Sequence, residues 1–170
     1  SNWRHAYERS VSFVDNPTYL PCGDVEYYRN VNGVWIPECY GYNSLLTSAT
    51  INRPDGKTRY FTLQGVNWVP DSDVKDTLVR LIDAAGNPTG WQFTTQDNEV
   101  ETYNAQGKLT VIMHRGGLTE SLAYSDTTTS ATIAPVPGLL IRVADSFGRA
   151  LSFTYDTQSR ISTLTDPAGG

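Results

Sequence analysis

Apolar and polar residues alternate along several short stretches of the chain. In one of them Leu151, Phe153 and Tyr155 share a face, and small or hydroxyl side chains separate them. The same alternation runs through residues 109–113. Alternation over about six residues is typical of a β-strand that buries one face. The pattern therefore predicts short strands.

A recurring tetrapeptide separates these stretches, in which Asp, Asn or His is followed three positions later by Gly or Ser. Asp or Asn can hydrogen bond within its own turn, and Gly tolerates a positive φ, so each copy is typical of a type I turn. About six residues remain between turns, which is the usual length of a strand. The copies occupy residues 83–86, 104–107, 114–117, 145–148, 156–159 and 166–169, with a weaker copy at 53–56.

One stretch is ambiguous. Val74, Leu78 and Ile82 have helical spacing behind a plausible helix start at Pro70. The turn that begins at Asp83 is in phase with the others, however. We therefore predict a strand over residues 77–82 and allow one helical turn at residues 71–75.

The N-terminal part carries hairpin signals of its own. Asn32-Gly33, between two apolar and aromatic stretches, is a strong signal for a two-residue hairpin turn, and a second hairpin is expected around residues 54–56. Strands of six residues joined by turns of four predict an all-β fold, an antiparallel meander of hairpins.

Whether Cys22 and Cys39 form a disulfide stays open. A two-residue turn at 32–33 pairs residues whose numbers sum to 65, so the two cysteines are out of direct register by four. Pro21 and Gly23 would allow the chain to bend back. The bridge would stabilise the fold by about 3 kcal/mol in the chain-entropy model.

Composition narrows the function classes. The chain has 170 residues and a net charge of −5. Its aromatic content of 11% favours β-structure. Lys and Arg are not clustered, so nucleic acid is not an expected partner. The longest uncharged stretch is Thr-rich and broken by Pro135 and Pro137, so no membrane span is expected in this fragment.

Residues 154–169 closely resemble the repeat unit of the RHS/YD-repeat proteins. That signature is Tyr-Asp, two variable residues, Gly-Arg-Leu, and a Thr-rich strand ending in Asp-Pro-x-Gly. Residues 101–110 and 145–155 are similar to further copies, and residues 3–10 to the segment that often opens the repeats. Asn104, Ser125 and Ser159 depart from the signature. The repeat motif falls on Asp83, Gly86, Tyr103, Asn104, Gly107, Tyr124, Asp145, Gly148, Tyr155, Asp156, Arg160, Asp166 and Gly169.

The resemblance implies a fragment of a large bacterial protein, secreted or displayed at the cell surface. Its repeats would form part of a curved β-sheet shell that encloses a C-terminal toxin or effector. The expected partners are the remainder of that shell and the enclosed domain. Residues 1–2 are interpreted as a tag remnant, 3–80 as a region of N-terminal hairpins, and 81–170 as repeats with a surface loop at 126–138.

No motif for catalysis, cofactor or metal binding is apparent. His5 and His114 have no ligands at metal spacing, and Glu99 and Glu101 are interpreted as charges on the solvent face of a strand. We therefore predict a module that is not an enzyme and that needs no cofactor or metal.

Carbohydrate binding or adhesion is the alternative function. Trp35, Trp68 and Trp91 could stack on sugars if their indoles were coplanar and exposed, although a role in lining the shell is favoured. We also expect self-association through an open edge, because the strand at residues 160–165 has one charged residue and favours pairing.

Overall fold

The computed structural model describes residues 7–17, 28–31, 34–37 and 44–169, and these residues form fourteen β-strands and no helix. Val14 to Pro17, residues 28–31 and 34–37, and residues 44–47 are described by their backbone. The strands are β1 (Ser10–Pro17), β2 (Tyr28–Val31), β3 (Val34–Pro37), β4 (Ser44–Asn52), β5 (Thr58–Gln64), β6 (Asn67–Pro70), β7 (Thr77–Ile82), β8 (Pro88–Thr94), β9 (Val100–Asn104), β10 (Leu109–Met113), β11 (Thr119–Tyr124), β12 (Leu140–Asp145), β13 (Ala150–Tyr155) and β14 (Ile161–Thr165).

Twelve of the strands form one antiparallel sheet. β1 pairs with β4, and from β4 to β14 every strand lies beside the next one in the chain. β2 and β3 pair separately as a two-stranded hairpin. The predicted all-β meander is confirmed, and β1 and β14 are the edges of the large sheet. Among the described residues no helix is long and apolar enough to cross a membrane.

The turns lie where the tetrapeptides predict them. At Asp145 the carbonyl accepts a hydrogen bond from the N–H of Gly148 at 3.1 Å, and the N–H donates to the carbonyl of Arg149 at 2.9 Å. Gly148 has a positive φ of 83°. This is the three-residue hairpin loop in which a type I turn is followed by a left-handed residue. The other six tetrapeptides also have the hydrogen bond between their first and fourth residues.

Two turns were not predicted from the sequence. Thr95 to Asn98 forms a turn of the same kind, in which Asn98 takes the left-handed conformation with a φ of 62°. Gly65 and Val66 form a two-residue loop between β5 and β6. The first of these turns divides the apparently long interval between the tetrapeptides at 83 and 104.

The ambiguous stretch is a strand, as predicted. β7 pairs with β8 over its whole length, from Thr77 opposite Thr94 to Ile82 opposite Pro88. The helical turn allowed at residues 71–75 is not present, because Asp71 to Val74 form a single turn closed by one hydrogen bond of 3.0 Å.

The hairpin around Asn32-Gly33 has the predicted register. Val31 lies opposite Val34 and Tyr28 opposite Pro37, so that paired residue numbers sum to 65. Cys22 and Cys39 lie outside the described residues, as do residues 1–6, and the disulfide stays a prediction.

The large sheet curls back on itself. The N–H of Val11 in β1 donates to the carbonyl of Gly107, in the turn between β9 and β10, at 2.9 Å. Ser10 and Lys108 form an isolated antiparallel bridge beside it. β1 is first in the order of the sheet and β9 is seventh. The contact therefore joins strands that a flat sheet would hold far apart, since neighbouring strands are about 4.8 Å apart.

Curling encloses an inner face, which carries the core. The ring centroids of Phe13 and Trp91 are 5.6 Å apart and those of Phe61 and Phe93 are 6.1 Å apart, although neither pair comes from neighbouring strands. Burial of such a side chain contributes about 1.5–3 kcal/mol. The buried cluster contains Val11, Ala49, Ile51, Phe61, Trp68, Leu78, Trp91, Phe93, Tyr103, Leu109, Ile112, Leu122, Leu140 and Val143.

The loop at 126–138 is an insertion within a repeat turn. The N–H of Gly138 donates to the carbonyl of Ser125, and the N–H of Ser125 donates to the carbonyl of Leu139, at 2.7 and 2.8 Å. These bonds reproduce the two that close an ordinary tetrapeptide turn, with ten additional residues between the partners. The insertion leaves the pairing of β11 with β12 in place.

Candidate functional site

The repeat turns depend on one carboxylate each. In Asp156, Oδ1 accepts hydrogen bonds from the backbone N–H groups of Gln158 and Arg160 at 2.9 Å, and Oδ2 accepts one from Arg160 Nε at 2.7 Å. The backbone and side-chain hydrogen bonds from Arg160 lower the pKa of Asp156. The Arg that follows the turn in the repeat signature thus closes the turn as an ion pair with its first residue.

The same arrangement recurs with different side chains. Asp145 pairs with Arg149 at 2.7 Å through Oδ2 and Nε, and Asp83 accepts from Asn87 Nδ2 at 3.0 Å. The amide oxygen of Asn104 accepts from two backbone N–H groups without an ion pair. Asn therefore fulfils the local role of Asp in the turn, which explains why the departure at this position leaves the turn intact. After β14, Asp166 and Gly169 form another such turn, with a hydrogen bond of 3.0 Å.

The tyrosines that precede the turn residues anchor the strands inside the sheet. Tyr103 is buried and its hydroxyl donates to Glu101. The Tyr155 hydroxyl donates to the carbonyl of Leu140 at 2.7 Å. The Tyr124 ring lies beneath the ammonium of Lys108, 5.1 Å from its centroid, and burial raises the pKa of Tyr124 to about 12. The Tyr of the repeat signature is thus a packing residue.

A buried carboxylate holds the curled sheet together. Glu101 in β9 is completely buried, and its Oε1 accepts hydrogen bonds from Arg9, just before β1, and from Arg53, in the turn after β4. Arg9 also reaches Glu99 Oε1 at 2.6 Å. We call these four residues, Arg9, Arg53, Glu99 and Glu101, the clasp. They join one end of the β1–β4 pair to β9.

The interpretation of Glu101 as a solvent-facing charge was wrong. Glu101 alternates with half-buried residues along β9, so it points inward together with Tyr103. A charge is tolerated there because two guanidinium groups and a phenol hydroxyl surround it. Arg9 and Arg53 were not recognised from the sequence, since neither lies near Glu101 along the chain. Two arginines at the borders of β1 and β4 were the available signal.

His114 lies between two carboxylates next to the clasp. Its Nδ1 is 3.2 Å from Glu99 Oε2 and its Nε2 is 3.0 Å from Glu120 Oε1. The hydrogen bond with Glu120 and the charges of both carboxylates raise the pKa of His114, although burial opposes the shift. Burial acts to raise the pKa of Glu99, but the hydrogen bond and charge of Arg9, together with His114, outweigh it and lower that pKa.

Two of the three candidate sugar-stacking indoles belong to the core. Trp68 and Trp91 are buried, and their rings meet edge to face at 73° with centroids 5.0 Å apart. Arg80 covers the ring of Trp91 from 5.5 Å. These two indoles therefore offer no coplanar, exposed platform to a sugar. Trp35 lies in β3, and its side chain is outside the described part of the chain.

Chemistry-bearing side chains are sparse elsewhere in the described residues. Among them no group of three or more His, Cys, Asp or Glu side chains is arranged to hold a metal ion. Asp76 is buried, where it pairs with Arg59 at 3.1 Å and accepts from the N–H of Gln96 at 2.9 Å. His5 lies outside the described residues. The charged groups of the inner face thus serve to join strands.

Comparison with known families identifies the repeat. Residues 138–170, which contain β12, β13 and β14, match the family model described as RHS Repeat. This segment of the chain is an RHS repeat. The matched segment includes the Asp145 and Asp156 turns, in each of which the Asp pairs with the Arg that follows the turn. An RHS repeat is a structural repeat, and the resemblance found in residues 154–169 is confirmed. No curated protein matches the chain.

Proposed function

We propose that this chain is a non-enzymatic wall segment of an RHS/YD-repeat shell, which encloses a C-terminal toxin or effector domain of the same bacterial protein. The protein would be secreted or displayed at the cell surface. The observation that carries the proposal is the curl of the sheet, because β1 meets the β9–β10 turn and gives the meander an inside and an outside.

The described residues support a structural role in a second way. Their buried polar groups are engaged in joining strands, as Glu101 does through Arg9 and Arg53. No buried polar side-chain atom among the described residues lacks a hydrogen-bond partner. The buried charges of this part of the chain therefore act as links between strands.

Protease protection of the whole bacterial protein that contains this segment tests enclosure. We expect the domain downstream of the repeats to resist a nonspecific protease in the intact protein, and to be cleaved at least tenfold faster when it is produced alone. The matched control is the same downstream domain fused to an unrelated soluble domain. Equal cleavage in the intact protein, the fusion and the isolated domain would refute enclosure.

A surface at the C-terminal edge supports the expected contact with more of the shell. Ile161 and Leu164 in β14 are 51% and 52% exposed, and the strand pairs on one side with β13. Exposed apolar residues on an edge strand favour pairing with a further strand. We propose that β14 receives the next strand of the shell, and that in the isolated chain it pairs with a second copy.

Sedimentation over a concentration range tests self-association. Thr163 is exposed in β14, so Thr163→Lys or Thr163→Pro is expected to weaken the association at least severalfold. Ser152→Lys is the matched control, because Ser152 is exposed in β13, which has neighbours on both sides. A chain that stays monomeric, or that associates equally in all variants, would contradict the open edge.

A further inference from the structure

The surroundings of His114 require both ring nitrogens to be donors. Glu99 and Glu120, when ionised, have only acceptors to offer, and they face Nδ1 and Nε2 at 3.2 and 3.0 Å. A neutral imidazole has one N–H and therefore satisfies one of the two carboxylates. Only the imidazolium form can donate to both.

Both carboxylates lead to the segment that closes the sheet. Glu99 accepts from Arg9, the residue before β1, at 2.6 Å. Glu120 in β11 hydrogen bonds with Tyr7, which lies two residues before Arg9 in the chain. The N–H of Arg9 in turn donates to the carbonyl of Tyr7 at 2.9 Å. His114 thus lies between the two acidic side chains that hold the start of β1 against the rest of the sheet.

We propose that the protonated side chain of His114 stabilises the curled sheet. In mildly acidic solution it holds β1 against the β9–β10 turn, and this contact loosens as the pH rises and His114 loses its proton. The charged and titratable groups around it are Glu99 and Glu120 in direct contact, Tyr7 and the strand partner Asp145 beside Glu120, and Arg9, Arg53 and Glu101 beyond Glu99. Asp145 is itself paired with Arg149.

The direction of the pH dependence follows from the direction in which the pKa of His114 is shifted. The pKa of His114 is raised in the folded chain, so its contribution is complete below the unfolded-state value of about 6.5 and is lost as the pH rises through the higher folded-state value. After deprotonation one carboxylate loses its donor and two negative groups face each other across a neutral ring. Arg9 and Arg53 keep their charges, so the release is partial and local.

The amide of Val11 reports on the closure, because it donates to Gly107 across the junction. We expect its protection factor against hydrogen exchange, corrected for intrinsic exchange, to fall about two- to fivefold between about pH 6 and about pH 8.5. The amide of Gly86, in the turn between β7 and β8, makes the same kind of turn hydrogen bond away from His114 and its two carboxylates, and is expected to show no such fall.

Variants separate the role of the imidazolium from general effects of pH. In His114→Gln the fall at Val11 is expected to disappear, and in Glu120→Gln it is expected to shrink. Arg115→Gln, which changes the exposed neighbouring residue, is expected to behave as the unchanged chain. The same fall in His114→Gln, no fall in the unchanged chain, or an equal fall at Gly86 would each overturn the proposal. If His114→Gln does not fold, Glu120→Gln and the nuclear magnetic resonance titration of His114 decide it, and a midpoint at or below about 6.5 would count against it.

Discussion

The β9–β10 and β13–β14 hairpins have the same kind of turn and very different burial. The turn from Asn104 to Gly107 and the turn from Asp156 to Ser159 make the same backbone hydrogen bonds. Yet Tyr103 in β9 is 1% exposed, whereas Leu164 in β14 is 52% exposed. The difference shows that the repeat motif specifies a hairpin, while burial depends on a second layer, which β1 supplies for β9.

Loss of the clasp, which holds the β9–β10 hairpin and not the β13–β14 hairpin, should have the largest effect on the free energy of unfolding. Glu101→Gln removes the buried carboxylate between Arg9 and Arg53 and leaves them only the partly exposed Glu99, and removing one partner of a buried ion pair costs about 3–5 kcal/mol. We expect this loss in the free energy of unfolding measured in urea. Glu8→Gln, at an exposed position, should change it by less than about 0.5 kcal/mol. Similar losses in both variants would show that the clasp adds little to stability.

Substitution of apolar residues should show the same difference in burial between the two hairpins. Ile112 in β10 is 2% exposed, so Ile112→Ala is expected to destabilise the chain by about 2–4 kcal/mol. Leu164→Ala, on the half-exposed edge strand, should cost about 1 kcal/mol or less in the monomer, because little apolar area leaves solvent there. Urea unfolding at a low protein concentration measures both. A cost at Leu164 as large as that at Ile112 would place a buried layer against β14.

Two turn glycines with nearly the same backbone allow a narrower test. Gly107 and Gly148 have φ of 77° and 83°, so Ala is strained at both by about 1–2 kcal/mol. A Cβ at Gly107 would lie 2.0 Å from the carbonyl oxygen of Val11, whereas at Gly148 nothing lies within 4 Å. Gly107→Ala should therefore be the more destabilising by about 1–3 kcal/mol in thermal or urea unfolding. Equal costs would mean that β1 does not approach the turn.

The smallest expected effect concerns the turn carboxylates. Asp156→Asn keeps an oxygen for the backbone N–H groups and loses the ion pair with Arg160, whereas Asp156→Ala loses both. We expect a lower unfolding midpoint for Ala than for Asn. The lowered pKa of Asp156 means that its contribution is present above the unfolded value of about 3.9 and lost as the pH falls through the folded value.

Acid unfolding followed by circular dichroism measures that contribution. The difference between the unchanged chain and Asp156→Asn should shrink as the pH falls below about 4. A difference that persists unchanged at lower pH would show that the Asp156 carboxylate does not act through its charge.

The sequence predicted the local part of this fold because the turns are local. Asp145 finds its partners within four residues, so the tetrapeptide alone specifies the hydrogen bonds that close the hairpin. The turn at Thr95 to Asn98 escaped prediction because a hydroxyl replaces the carboxylate and Asn replaces Gly in the left-handed position. The physical role is the same, but the residue types differ.

The clasp could not be predicted in the same way. Arg9 and Glu101 are 92 residues apart in the chain, and Arg53 and Glu101 are 48 apart. Their meeting depends on how far twelve strands twist and curl, which no short pattern encodes. Without that curl Glu101 is one charge on a strand, and a solvent-facing position is the reasonable expectation.

The curl is the central claim, and a disulfide across its junction tests it most directly. Ser10 and Lys108 are bridge partners, and partners in an antiparallel bridge have Cα atoms about 4.5–5.5 Å apart, within the range for a disulfide. In a background with Cys22→Ser and Cys39→Ser, the pair Ser10→Cys and Lys108→Cys should oxidise nearly completely within the monomer. The pair Ser10→Cys and Arg149→Cys should not. Absence of the first disulfide, or equal yields for the two pairs, would contradict a sheet that curls until β1 meets the β9–β10 turn.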